Sequence, residues 1–264
     1  MPHLELTYPR PEIAVVTLNR PEKLNALSHE LVESLHAAIT DIAANRQCRV
    51  VVLTGAGRGF CSGLDLTDPN PPGVGAGLEF PRSGMRWQER IADLTSRIHR
   101  LRQPVIAAVK GPAYGGGLGI AAACDIRLAG ESARFCTQFI KLGLGGCDIG
   151  VSYTLPRIIG AGPAFDMILT ARVVDAEEAL RVGLVNGVHD PAIDRAREVA
   201  ELLAAKSPLA LAAIKRTTNH ALQGDHVENL QREADEFGAL FASEDAREGM
   251  TAFTEKREPR FTGR

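Results

Sequence analysis

Two hydrophobic periods alternate along this chain. Ile13-Ala-Val-Val-Thr-Leu18 is a short unbroken apolar run, the pattern of a buried strand. Ser28 then precedes Leu31, Leu35, Ile39 and Ile42, whose spacing of three and four predicts a helix with one buried face and a serine cap. Arg49–Thr54 reads as the next strand and ends at Gly55. A helical run through Ile91, Leu94, Ile98 and Leu101 leads into a third strand, Pro104–Val109. Leu118–Cys124 has helical composition, and Asp125–Ala129 is a fourth strand. Strand and helix in alternation predict parallel pairing with crossover helices. Between Thr67 and Gly84 the pattern gives way to Pro and Gly, predicting a long surface loop placed as a lid or pocket wall. From about Asp190 to Arg257 the pattern is helical throughout, with Ser207-Pro208 ending one helix and starting another. That stretch is either a small appendage or a docking surface for another subunit.

Composition narrows the class only slightly. The chain has 264 residues, 45% hydrophobic and 23% charged, enough for a substantial core in an ordinary water-soluble protein. A net charge of −2 carries no basic stripe for nucleic acid. No apolar run is long enough for a membrane span, and Met1-Pro-His-Leu-Glu-Leu does not read as a secretory signal. The expected location is the cytoplasm. Cys48, Cys61, Cys124, Cys136 and Cys147 are scattered and odd in number, which argues for reduced thiols rather than a disulfide framework or a zinc site. The seven histidines form no ligand spacing, so no metal is expected.

Two glycine-bearing segments carry the candidate chemistry. Gly111-Pro-Ala-Tyr-Gly-Gly-Gly follows a strand and opens a helix, where free N–H groups and the helix dipole favour an anion. The plainer alternative is a tight strand-to-helix turn without a ligand. Phe60-Cys-Ser-Gly-Leu-Asp-Leu66, also after a strand, would present the Leu64 N–H behind a bend at Gly63. Two such donors converging on one oxygen make an oxyanion hole. A dinucleotide-binding reading of Gly55-Ala-Gly-Arg-Gly fails on glycine spacing and on the absence of a following helix.

At these residues the chain resembles the crotonase superfamily, the enoyl-CoA hydratase/isomerase family. Matching stretches are Asn19–Leu27, Phe60–Leu66, Gly111–Asp125, Leu155–Gly160, Ala176–Val185 and Ala252–Arg257, in family order over nearly the whole chain. The resemblance implies an α/β fold of the crotonase-like (ClpP/crotonase) type: a spiral of ββα units over residues 1–190, with a C-terminal helical trimerisation region over 191–264. It implies a homotrimer or dimer of trimers. It also implies an acyl-CoA thioester as substrate, coenzyme A being part of that substrate, with no separate cofactor. Carried over residue by residue, the N–H groups of Leu64 and Gly116 would polarise the thioester carbonyl. Lys23, Leu24, Ala26 and Leu27 would line the CoA moiety, with Asp65 and Leu66 along its adenine and pantetheine path. Gly63, Gly115, Gly119, Tyr114 and Phe139 would border the acyl site. Lys256 would either reach a neighbouring subunit's CoA or remain a solvated surface lysine.

The family pattern breaks at the carboxylates. Hydratases of the family activate water with two glutamates, and the corresponding positions here hold Gly119 and Phe139 (Ile140 if the register shifts by one). None of these side chains transfers a proton. Asp148, in Gly145-Gly-Cys-Asp-Ile-Gly150, resembles an aspartate of dienoyl-CoA isomerases, although the preceding loop is one residue longer. A carboxyl buried against an apolar pocket is suited to shuttling a proton. Alternatively Asp148 caps the following helix at Ser152 and Tyr153. Cys61 and Cys147 lack a partner base, so both read as inert. Trp87 and Met85 read as core more than as ligand contacts. The expectation is an enzyme of thioester-enolate chemistry, isomerase-type more than hydrating; the alternative is an acyl-CoA-binding protein that kept the cradle and lost catalysis.

Overall fold

The computed structural model describes residues 3–68, 82–145 and 148–264. Its strands in chain order are β1 (Leu4–Arg10), β2 (Ile13–Leu18), β3 (Val50–Gly55), β4 (Val105–Val109), β5 (Pro112–Tyr114), β6 (Ile126–Ala129), β7 (Arg134–Cys136), β8 (Val174–Asp175) and β9 (Gly187–Val188). The helices are α1 (His29–Ala44), α2 (Arg82–Arg100), α3 (Gly116–Ala123), α4 (Val151–Ile159), α5 (Ala161–Thr170), α6 (Ala176–Arg181), α7 (Ala192–Ala204), α8 (Pro208–Ala221), α9 (His226–Phe241) and α10 (Glu244–Glu255).

The main sheet runs β1-β2-β3-β4-β6-β9, parallel from β2 onward, with β1 antiparallel at one edge. A smaller sheet, β5-β7-β8, stands beside it. Apolar periodicity locates β2, β3, β4 and β6 within a residue or so, and α1 is capped by Ser28 Oγ accepting from Leu31 N at 3.3 Å. Periodicity misses β1, an edge strand whose Glu5, Pro9 and Arg10 leave it largely exposed.

The unbroken apolar runs of the sheet follow from helices covering both faces. Val16, Leu18, Val51, Leu53, Ala107 and Val109 pack with α1, α2 and α3. Val15, Val50, Val52, Ile106 and Ala108 point the other way, onto Ala192, Ala196, Ala200 and Ala204 of α7. Four alanines at every fourth position let the α7 backbone approach the sheet closely. α7 begins just past residue 190 and is a layer of this core. α8 is tied to it by Lys215, whose Nζ donates to Asp125 Oδ2 at 2.8 Å and to the Ile98 and Gln103 carbonyls at 3.1 Å. α9 buries no residue of its own chain and exposes Val227, Leu230, Phe237 and Phe241. No helix among the described residues is long and apolar enough to cross a membrane.

Candidate active site

Backbone hydrogen bonds lace the two glycine segments together. Phe60 N and Cys61 N donate to Pro112 O, and Tyr114 N donates back to Cys61 O at 2.9 Å. On the other side, Leu27 N donates to Gly63 O at 2.7 Å and Asp65 N to Leu27 O at 3.0 Å. The Phe60–Asp65 segment is thus held between residues 24–27 and the strand β5. Glycine is required at the crossing points. A Cβ on Gly117 would stand 2.2 Å from Cys61 O, and one on Gly63 (φ +94°) 2.9 Å from Tyr114 O. The Gly63 position also adjoins Gly116, since that same Cβ would lie 3.5 Å from Gly116 N.

This lacing leaves two donors unused. Among the described residues, neither Leu64 N nor Gly116 N donates to a protein acceptor. Gly116 is the first residue of α3, a helix buried along its whole length, so its N–H carries the positive end of the helix dipole in a low-dielectric setting. Both residues border one cleft of about 160 Å³.

The cleft wall is largely apolar, with Ser62, Gln138 and Asp148 as its polar side chains among the described residues. Leu27, Leu66, Ile91, Phe139, Leu142, Leu144 and Ile149 supply most of it. Asp148 is the one ionisable side chain among its described lining residues. Its Oδ1 accepts from Gln88 Nε2 on α2 and from the N–H of Ile149, each at 2.7 Å. Oδ2 accepts nothing from the described residues, so one carboxylate oxygen is fixed and the other is free for a ligand. The expected cap is not formed. The N-cap of α4 is Gly150 in the left-handed region, and Asp148 turns its carboxylate to Gln88 instead of to Ser152 and Tyr153.

Ile149 is the unforeseen element of the site. It is 2% exposed and has φ +50°, a conformation that a β-branched residue rarely adopts. Such a backbone costs about 1–3 kcal/mol. Complete burial of an isoleucine side chain contributes about 1.5–3 kcal/mol, enough to offset it. The side chain lies along the first turn of α3: a Cβ on Gly116 would be 3.8 Å from its Cδ1, and one on Gly119 only 2.4 Å from its Cγ2. Gly119 therefore does not border the cleft as expected, because Ile149 covers it.

A polar pocket of about 320 Å³ flanks the cleft, bordered by His3, Arg20, Lys23, Ser28, His29, Asp65 and Thr67. Arg20 organises it, donating from Nη2 to Asp65 Oδ2 at 2.8 Å and from Nη1 to Ala26 O. Burial alone would raise the Asp65 pKa. Hydrogen bonds from Thr67 and from the Arg20 guanidinium outweigh it and hold the carboxyl at about 2. Lys23 Nζ donates to Thr67 Oγ1 at 3.2 Å. Fully buried Asn25 accepts from Arg20 N and donates to the Ala56 and Gly59 carbonyls, fixing a turn in which Leu24 and Asn25 both have positive φ.

The structure therefore brings Leu27, Gly63, Leu64, Leu66, Gly115, Gly116, Phe139 and Asp148 to one cleft, and Lys23 and Asp65 to the adjoining pocket. Tyr114, expected at the site, does not line the cleft; its carbonyl stands beside Gly63, and burial raises the pKa of its phenol. Lys256, left-handed at the end of α10, does not border the cleft of its own chain. Cys61 is a packing residue whose thiol burial pushes up to about 12. Trp87 is half-buried, edge-on to His29 with ring centroids 5.5 Å apart, whereas Met85 is exposed. Residues 69–81 of the proposed lid, and Cys147, lie outside the described residues. Gln88, Gln138, Ile149, Arg20 and Asn25 escaped sequence reasoning. Ile149 stood in the quoted stretch Gly145–Gly150, and Arg20 and Asn25 in Asn19–Leu27, without any role being read for them; nothing local marks a glutamine on an exposed helix face as a carboxylate's partner.

A mostly parallel core sheet covered on both faces, with two N–H donors left unspent beside a largely apolar cleft, defines an α/β enzyme fold. The family model for enoyl-CoA hydratase/isomerase matches residues 10–264. The chain belongs to that family. It is 40% identical over 260 residues to "Probable enoyl-CoA hydratase echA12" of Mycobacterium bovis, covering 97% of this chain and 91% of that one. It is 37% identical over 250 residues to the "Short-chain-enoyl-CoA hydratase" of Clostridium acetobutylicum, covering 94% and 93%. The crystal structure of enoyl-CoA hydratase from Bacillus anthracis superposes with a TM-score of 0.92 at 34% identity, covering 99% of this chain and 100% of that one.

Proposed function

We propose that this protein binds an acyl-CoA thioester and stabilises its enolate, with the Leu64 and Gly116 N–H groups donating to the thioester oxygen. Asp148 then moves the proton. Its free Oδ2 would take a proton from carbon 2 of the acyl chain and return it further along, so that a double bond migrates and nothing is added. The observation that carries this reading is the pairing of unspent donors with a single ionisable group, among the described lining residues, in a largely apolar cleft. Hydration asks for a water held and deprotonated as well as a proton delivered, and two carboxylates do that more readily than one. Names of relatives such as the Clostridium acetobutylicum protein point instead to hydration.

The test is turnover of crotonyl-CoA, a 3-enoyl-CoA and a 3,5-dienoyl-CoA by wild type and Asp148→Asn. Isomerisation by wild type that falls at least about a hundredfold in Asp148→Asn supports the reading. Rapid hydration of crotonyl-CoA without isomerisation would overturn it. Tight binding with no turnover of any substrate would leave an acyl-CoA-binding protein.

The polar pocket beside the cleft is the proposed seat of the CoA moiety, with Lys23 near a phosphate and Lys256 reaching a neighbouring subunit. The exposed apolar side chains of α9 support assembly through the C-terminal helices, as a trimer or dimer of trimers. Cys48, Cys61, Cys124 and Cys136 are buried free thiols, which suits a cytoplasmic protein.

A further inference from the structure

Three observations converge on one side chain. Ile149 occupies the room that any side chain at position 119 would need, with Cγ2 only 2.4 Å from the ideal Cβ there. It reaches along the first turn of α3 to Gly116, the residue whose N–H is an unspent donor. It also follows Asp148 directly, and its own N–H holds Asp148 Oδ1 at 2.7 Å. One residue therefore adjoins both Gly116 at the start of α3 and the Asp148 carboxylate, and it does so from a strained left-handed backbone.

We propose that Ile149 is the specificity-determining residue of this cleft, excluding water from the acyl chain so that the activated thioester undergoes proton transfer rather than water addition. The inference rests on the isomerase reading above. Water addition forms a C–O bond at carbon 3 and a C–H bond at carbon 2, with oxygen and both hydrogens coming from one water. That water must sit beside the β carbon within reach of a base. Asp148 is such a base, and Ile149 fills the adjacent space with methyl and methylene groups that offer water no hydrogen bond. Ile149 touches the acyl chain's surroundings and moves no proton; its role is to dry them.

Two variants separate this role from simple packing. Ile149→Gly removes the wedge and also relieves the positive φ, so the backbone is not further strained. Ile149→Val trims one methylene and keeps most of the packing. The readout is the ratio of ¹⁸O-labelled 3-hydroxyacyl-CoA to isomerised product, from 3-enoyl-CoA and crotonyl-CoA in H₂¹⁸O. The ratio is expected to rise by about tenfold or more in Ile149→Gly and less in Ile149→Val. Thermal melts of Gly119→Ala, Ile149→Gly and the double variant check the contact without any turnover: Gly119→Ala should lower Tm in wild type and much less beside Ile149→Gly. If wild type isomerises and the ratio does not move in Ile149→Gly, the exclusion role is wrong while the isomerase reading stands. Additive Tm losses in the double variant would refute the contact itself. If wild type hydrates and does not isomerise, the reading beneath the inference has failed, and the inference falls with it.

Discussion

Gln88 and Asp148 meet across the mouth of the cleft, Nε2 to Oδ1 at 2.7 Å, from helix α2 and the turn before α4. The bond saturates one carboxylate oxygen together with the Ile149 N–H and leaves the other bare. A carboxylate used for proton transfer must present one oxygen in a constant direction, and this pair supplies that orientation.

Gln88→Leu should lower kcat for isomerisation by about three- to tenfold, with KM for the acyl-CoA nearly unchanged. Gln88→Glu should cost more, since a second carboxylate would face the first. Steady-state kinetics distinguish the cases: a rise in KM at constant kcat would make Gln88 a binding residue and not an orienting one.

Gly116→Pro removes one proposed donor at the first position of a helix, where no intrahelical bond is lost, with the Leu27 side chain shifting to admit a Cβ otherwise 2.8 Å from its Cδ1. The expected result is a loss of about a hundredfold in kcat, accompanied by weaker binding of an acyl-CoA enolate mimic. Calorimetry with the mimic checks it, and unchanged affinity would remove Gly116 from the oxyanion hole.

Arg20 and Asp65 make stability depend on acid. The Asp65 carboxyl is held at about 2, below its ordinary 3.8, so the folded state binds its proton less readily than the unfolded state. The resulting stabilisation, about 2 kcal/mol, is complete above the unfolded value and is lost as pH falls through about 2. The Tm difference between wild type and Asp65→Asn should be largest above pH 5 and should shrink toward pH 2. A difference constant over that range would show that the ion pair contributes nothing through titration.

Lys215 and Asp125 join α8 to the core through a pair that is nearly buried on the lysine side, 6% exposed. Lys215→Met would leave the Asp125 carboxylate with the Val105 N–H but no cation, and the Ile98 and Gln103 carbonyls without this donor. The expected cost is about 1–3 kcal/mol, less than for a fully buried pair, because Asp125 is partly exposed and keeps the Val105 N–H. Denaturant unfolding measures it, and a cost below 1 kcal/mol would mean water replaces the ammonium.

Reading the sequence alone reached most of the scaffold and about half of the site. The strands β2, β3, β4 and β6 were legible because both faces of each are covered, which makes the sequence apolar without interruption. The two glycine segments were legible as candidate donors from their place after strands and before a helix, and the family resemblance named Leu64 and Gly116 within them. The absence of acidic side chains at Gly119 and Phe139 was likewise a property of the residues themselves. Tertiary structure alone decided what lies beside those two positions. Ile149 is an ordinary apolar letter until the chain turns back with positive φ and lays it over Gly119. Whether Asp148 caps α4 was open until α2 brought Gln88 to its carboxylate. α7 read as part of a tail until its four alanines met the sheet. Local sequence determines which groups are available and where the backbone must bend; which groups meet depends on contacts between residues far apart in the chain, and those exist only once the core has closed.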